Sequence, residues 1–309
     1  MSAIDALLLL MTIIWGINYS IVKTAFQQID PQAFNAVRMV IGSCTFLVII
    51  ALARRMRASG PLGSIFFTPA AITKRDWTSL ALLGLVGHAG YQYFFIGGLA
   101  RTSVANSSLM LAATPVVIAL ISAAMGQERI SRLHWVGAAL SVFGIYLVVG
   151  HAPKGGGASL TGDVMMFTAV VCWAIYTLGA RHLMQRHSPV GVTGLSMAIG
   201  SLIYVPLMSR NILGTDWTTV TAGTWIALVY SALFALCVAY TIWYMAVREI
   251  GSARTSVYSN LVPIIAMVTA VITLGERLTV PRLVGASAVL LGVALTRVGK
   301  TAQLVPQEE

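Results

Sequence analysis

From Trp77 to Gln127 this sequence carries a single Asp, Glu, Lys or Arg, which is Arg101. A surface helix of a soluble protein needs a polar face, and neither side of Arg101 offers one. Two consecutive helices crossing a bilayer, each needing about 20 mostly apolar residues, account for the stretch. Comparable runs recur at 4–25, 32–53, 77–100, 103–125, 133–150, 160–183, 190–208, 221–247, 253–274 and 280–298, predicting an all-α polytopic membrane protein with ten transmembrane helices. The last has the shortest uncharged core, Leu283 to Thr296, so Arg282 and Arg297 are expected to snorkel at its ends.

Composition agrees. Only 10% of the 309 residues are charged, against about 25% in soluble domains, and the mean hydropathy is +0.83. With the N-terminus inside, thirteen of the twenty Lys and Arg residues fall in cytoplasmic segments and six in outer ones, with Arg38 inside the second helix. That bias predicts cytoplasmic termini. The net charge of +10 raises nucleic acid as a partner, but the basic residues cluster between apolar runs, the pattern of membrane topology, so none is expected. The first run carries Asp5 and lacks a basic leader, so it reads as a spanning helix rather than a signal peptide. Cys44, Cys172 and Cys237 lie inside apolar runs without paired spacing and read as packing residues.

The chain also repeats itself. A shift of 148 residues aligns Trp77 with Trp225, Ser108 with Ser256, Pro115 with Pro263, Glu128-Arg129 with Glu276-Arg277 and Gly144 with Gly292. Earlier in each half a shift of 158 aligns Trp15 with Trp173 and Pro31 with Pro189. The basic linker from Arg54 to Asp76 absorbs the difference. Five helices per copy is an odd number, so the second copy enters the membrane inverted, and a site is expected near the midplane where the copies meet. The expected domains are residues 1–152 and 153–300, one repeat each, followed by a disordered cytoplasmic tail at 301–309.

Trp15-Gly16-Ile17-Asn18-Tyr19, the Pro31 to Arg38 spacing, a proline inside helices four and nine, the Gly275-Glu276-Arg277 turn and the Gly137/Gly144 and Gly285/Gly292 pairs occur together. In these the whole chain resembles the ten-helix EamA branch of the drug/metabolite transporter superfamily. Its aromatic helices three, six and eight look most similar to YddG-type exporters of aromatic amino acids. Gly126-Gln127-Glu128-Arg129 departs from the pattern by one inserted residue. The resemblance implies a transporter in the bacterial inner membrane that exports small organic solutes by alternating access. Amino acids, aromatic or broadly neutral, head the list, and other metabolites or drugs are the alternative.

Polar and aromatic residues inside the spans are the candidates for solute contact. His88, Tyr91, Gln92 and Phe95 share a face of helix three at spacings of three, four and seven. Trp15 with Asn18, and Trp173 with Tyr176, share faces of helices one and six, while helix eight offers Tyr240, Trp243 and Tyr244. Rings suit an apolar or aromatic side chain; amides and hydroxyls suit a zwitterionic head group. Ser256 and Asn260, with Asn106 and Ser108, lie near the prolines and are expected to line the same cavity. Pro115 and Pro263 are expected midway along helices four and nine, as gating hinges or as static kinks. Arg38 has two readings, a contact for a substrate carboxylate or a side chain that snorkels or bonds a neighbouring helix. The glycine pairs place small residues on one face of helices five and ten, which either pack on each other or form a dimer interface. The chain is thus expected as a monomer or homodimer in the lipid bilayer.

No Asp or Glu sits at the centre of any span, leaving His88 as the one mid-membrane proton carrier to consider beside facilitated diffusion. The sequence has no GxSxG, no HExxH and no paired intramembrane carboxylates, so no enzyme, catalytic residue, cofactor or metal is expected. A channel is a more distant alternative.

Overall fold

Short caps begin the helices. Ser2 and Asp5 form a capping box that starts α1 (Ala3–Ala25), and Asp30 followed by Pro31 starts α2 (Pro31–Arg55). A short α3 (Gly60–Phe66) occupies the basic linker. The Thr73–Asp76 capping box then opens α4 (Lys74–Leu83), which continues through a π-helical segment, Gly84–Gly90, into α5 (Tyr91–Arg101). Ser103 caps α6 (Val104–Ala112), which is followed by α7 (Thr114–Ala124) and α8 (Arg132–Gly150). Ser159 caps α9 (Leu160–Leu183), and Ser188 with Pro189 starts α10 (Pro189–Leu207), which is trailed by α11 (Ser209–Gly214). A second π-helical segment, Ser231–Val238, joins α12 (Ala222–Tyr230) to α13 (Ala239–Ser259). The chain then forms α14 (Leu261–Leu274) and α15 (Val280–Val298). Gly275 ends α14 at a φ of +65°, a conformation open to glycine. Two-residue strands β1 (Glu128–Arg129) and β2 (Ala302–Gln303) pair antiparallel. This computed structural model describes residues 2–57, 60–124, 128–129, 132–150, 159–259, 261–298 and 302–303.

Two expectations need correction. The expected fourth helix is two segments that part at Ala113, and α13 runs without a break through residues 248–252, where helices eight and nine were expected to separate. In consequence Pro115 is the second residue of α7. Helix starts have no intrahelical acceptor for their N–H groups, so Pro115 removes no mid-helix bond.

Large apolar side chains lie on the outer surface while several polar and charged ones are buried. Leu202 and Ile272 are about three-quarters exposed, whereas Arg38, His88, Gln92 and Asn106 are at most 1% exposed. Six helices are long and apolar enough to cross a membrane, and four shorter apolar helices accompany them. This inverted distribution is what a protein surrounded by lipid requires.

The two copies meet through equivalent residues. A Cβ added to Gly144 would lie 2.6 Å from Gly285 O and 2.7 Å from Val289 N, and one added to Gly292 would lie 2.5 Å from Gly137 O and 2.6 Å from Ser141 N. Each contact is the other shifted by 148 residues, the signature of a two-fold relation. The small-residue faces of α8 and α15 are thus filled within one chain, close enough for Ser141 Oγ to donate to Val289 O at 3.4 Å. The π-helical segments obey the same shift, since it carries Gly84–Gly90 onto residues 232–238.

Polar tethers sort into two ends. Tyr258 donates to Asp5, Arg248 to Ser64 O, and Arg186 and His187 pair with Asp76. At the other end Lys23 donates to Leu99 O and Thr102 O, Thr102 to Asp163, and Arg282 to Ser103 and Asn106. There Glu276 accepts the Val104 and Ala105 N–H groups at 2.7 and 3.3 Å, completing the cap of α6 from 172 residues away.

Candidate solute site

Rings from both copies converge between α1, α5, α9 and α13. Trp15 packs on Tyr240 and Trp243 with centroids 5.9 and 5.7 Å apart. Trp173 lies 5.1 Å from Tyr91, 5.7 Å from Tyr176 and 5.4 Å from Tyr240. Tyr244 meets Tyr176 at 6.2 Å, and Tyr91 stacks on Phe95, which Tyr19 meets edge-on. These separations fall in the range where aromatic pairs attract. Glycines allow the approach, for a Cβ on Gly87 would sit 2.1 Å from the Tyr176 ring. Trp15 is fixed by its Nε1–H bond to Ala235 O at 3.0 Å, in the second π-helical segment.

His88, from the first π-helical segment, is fully buried against this set, 5.0 Å from the Tyr176 ring. Its Nε2 lies 3.2 Å from Ser196 Oγ and 3.3 Å from Tyr176 OH. Ser196 Oγ also lies within hydrogen-bond distance of Val192 O and Thr193 O on its own helix. His88 Nδ1 is buried with no described partner. Asn18 Oδ1, Tyr19 OH and Trp243 Nε1 are also buried without a described partner. Buried rings are thus interleaved with donors and acceptors that have no described partner.

These contacts bring together Trp15, His88, Tyr91, Phe95, Trp173, Tyr176, Tyr240, Trp243 and Tyr244, while Gln92 accepts from Arg38 and Asn18 is buried on α1. Ser108 bonds its own helix at Ala105 O, and Asn106 joins the end cluster through Thr102 and Asp163; neither reaches the rings by these bonds. Asn260 and the side chains of Ser256 and Pro115 lie outside the described residues. Arg38 does not snorkel, since it is 1% exposed and donates to Ser231 Oγ at 3.0 Å and to Gln92 Oε1. Tyr19 was missed, although it follows Trp15 by four residues; Ser196 and Ser231 gave no signal, being small polar residues in apolar runs. Trp77, Trp135 and Trp225 are exposed, as interfacial belt residues are.

Known proteins resemble this chain along its whole length. It is 26% identical over 292 residues to the uncharacterized transporter YyaM of Bacillus subtilis, covering 93% of this chain and 91% of that one. A probable terminal-alkyne amino-acid exporter of Streptantibioticus cattleyicolor is 26% identical, covering 93% and 91% of the two chains. A probable amino-acid metabolite efflux pump of Salmonella typhimurium is 24% identical, covering 96% and 97%. One crystal structure shares the fold with a TM-score of 0.63 at 16% identity, covering 94% of both chains. The EamA-like transporter family matches residues 2–150 and again 160–298. The chain belongs to that family, within the drug/metabolite transporter superfamily, and is a membrane transporter.

Proposed function

We propose that the protein exports amino acids, aromatic or broadly neutral, across the bacterial inner membrane by alternating access. The observation that carries this reading is the ring-lined site with unpartnered polar atoms, built from both copies where they meet. Relatives named as amino-acid exporters or efflux pumps support it. In this reading ten helices span the membrane, residues 1–152 and 153–300 are inverted copies, and both termini are cytoplasmic. Six long and four shorter apolar helices supply the spans, and the sorting of polar tethers into two ends supports the alternation. The break at Ala113, just before Pro115, is where the first copy would bend. Counterflow of labelled amino acids in proteoliposomes tests the proposal. Exchange of aromatic and neutral amino acids is expected, and flux confined to unrelated metabolites or drugs would replace it with the alternative.

A further inference from the structure

We infer that Arg38 is the recognition point for a carboxylate on the transported solute, which gives the site a fixed polarity. The inference rests on the solute site described above and deepens its reading, by naming the group that the substrate must carry.

Arg38 lies two turns into α2, a position from which a long side chain can reach the bilayer interface, yet it turns inward and is 1% exposed. A guanidinium has five N–H donors. Neutral oxygens of Ser231 and Gln92 are its described acceptors, and its Nε has no described partner. The ion pairs among the described residues both involve Asp76, so no described carboxylate balances Arg38. A buried cation with spare donors and no counter-ion is expensive in a membrane interior and is stabilised by an anion that arrives with the ligand. The planar fork fits a carboxylate in bidentate geometry. The groups around Arg38 connect it to the rings. Gln92, which accepts from Arg38, follows Tyr91 in α5, and Ser231 opens the π-helical segment whose Ala235 O holds Trp15.

Comparison of the two copies shows how far this polarity is built in. Gly42 packs on Leu236 while its counterpart Gly200 packs on His88, so the backbones of α2 and α10 hold equivalent places. On that equivalence Arg38 is replaced by Ser196, Gln92 by Tyr240 and His88 by Leu236. The first copy therefore supplies the cation and the amide, and the second supplies a ring and an aliphatic side chain. A solute with a carboxylate at one end and an apolar body at the other has one preferred orientation in such a site. A monocarboxylate is the chemical class that it fits.

The test uses intact protein in proteoliposomes with L-phenylalanine, L-phenylalaninamide, phenethylamine and 3-phenylpropanoate. Inhibition of phenylalanine counterflow and thermal stabilisation of the purified protein are both read. The acids are expected to act at concentrations about tenfold or more below the amide and the amine, the scale of a lost charge-assisted hydrogen bond. Arg38→Gln should bring acid and amide to within about twofold, and Arg38→Lys should keep part of the preference. If Arg38→Gln does not fold, the wild-type comparison decides alone. Equal potency of phenylalanine and its amide on the wild type would overturn the inference and leave amino-acid transport standing. Absence of amino-acid counterflow, with 3-phenylpropanoate still stabilising the wild type and not Arg38→Gln, would overturn the transport reading and uphold the carboxylate site. Stabilisation by neither acid would overturn the inference.

Discussion

Ser43 and Ser201 stand 158 positions apart in the chain and meet hydroxyl to hydroxyl at 2.8 Å, so a residue of α2 touches its own counterpart in α10. Either single substitution to alanine leaves the remaining hydroxyl without this partner and should cost about 1 kcal/mol. The double variant should cost clearly less than the sum of the two, a coupling that a thermal-unfolding double-mutant cycle would measure. Strict additivity would show that the two serines do not interact in the folded protein.

Gly144 and Gly292 carry a stronger constraint, because backbone atoms of the opposite helix lie within 2.7 Å of where each Cβ would be. Gly144→Ala and Gly292→Ala should each force α8 and α15 apart and destabilise the protein by about 1–3 kcal/mol. Thermal unfolding in detergent reads the loss. Gly223→Ala, where the nearest atom is the Thr221 hydroxyl at 4.0 Å, should change little by comparison.

Glu276 bears on a different end of the bundle. Replacement by glutamine keeps one acceptor and removes the charge that faces two helix N–H groups, a loss of about 0.5–2 kcal/mol. Hydrogen exchange at the Val104 and Ala105 amides should accelerate in Glu276→Gln while amides of α2 hold their rates. Unchanged protection at both amides would refute the cap.

Trp173 touches Tyr91, Tyr176 and Tyr240 and sits at the centre of the ring set. Trp173→Ala should weaken apparent affinity for aromatic amino acids by about 1–3 kcal/mol. Small polar amino acids should be affected less. A well-expressed variant with normal transport of aromatic amino acids would make Trp173 a packing residue.

Topology has its own test. A reporter active only outside the cytoplasm should be silent when fused after Lys300 and active when inserted at Lys154. The reverse pattern would overturn the proposed ten-span arrangement.

How much of this could be read from the chain follows physical lines. Lipid-facing runs are legible because a bilayer leaves few options, and the matched Trp, Pro and Gly positions announce the repeat. Ring-bearing faces were legible through helical spacing, which is how Trp15, Tyr91, Trp173 and Tyr240 were found. Partners were not. His88 bonds Tyr176 and Ser196, 88 and 108 residues away, and Glu276 reaches back 172 residues to Val104. Such distances are fixed by packing, which no local pattern encodes. A break was expected at residues 248–252 because Arg248, Glu249 and Arg254 look like a loop, whereas α13 carries them on to Ser259. Gly84, Gly87 and Gly90 were the available sign of close approach, since they mark the segment that seats Tyr176 and α10.

The contacts of Gly144 with Gly285 and of Gly292 with Gly137 are those of a homodimer whose subunits have been joined into one polypeptide. In a true homodimer every substitution is made twice, and a pocket on the axis must show the same face to both ends of whatever enters it. Joining the halves lifts that rule, so Arg38 can stand opposite Ser196 and His88 opposite Leu236. A molecule with a head and a tail has no two-fold symmetry, and only a fused pair can tell one from the other.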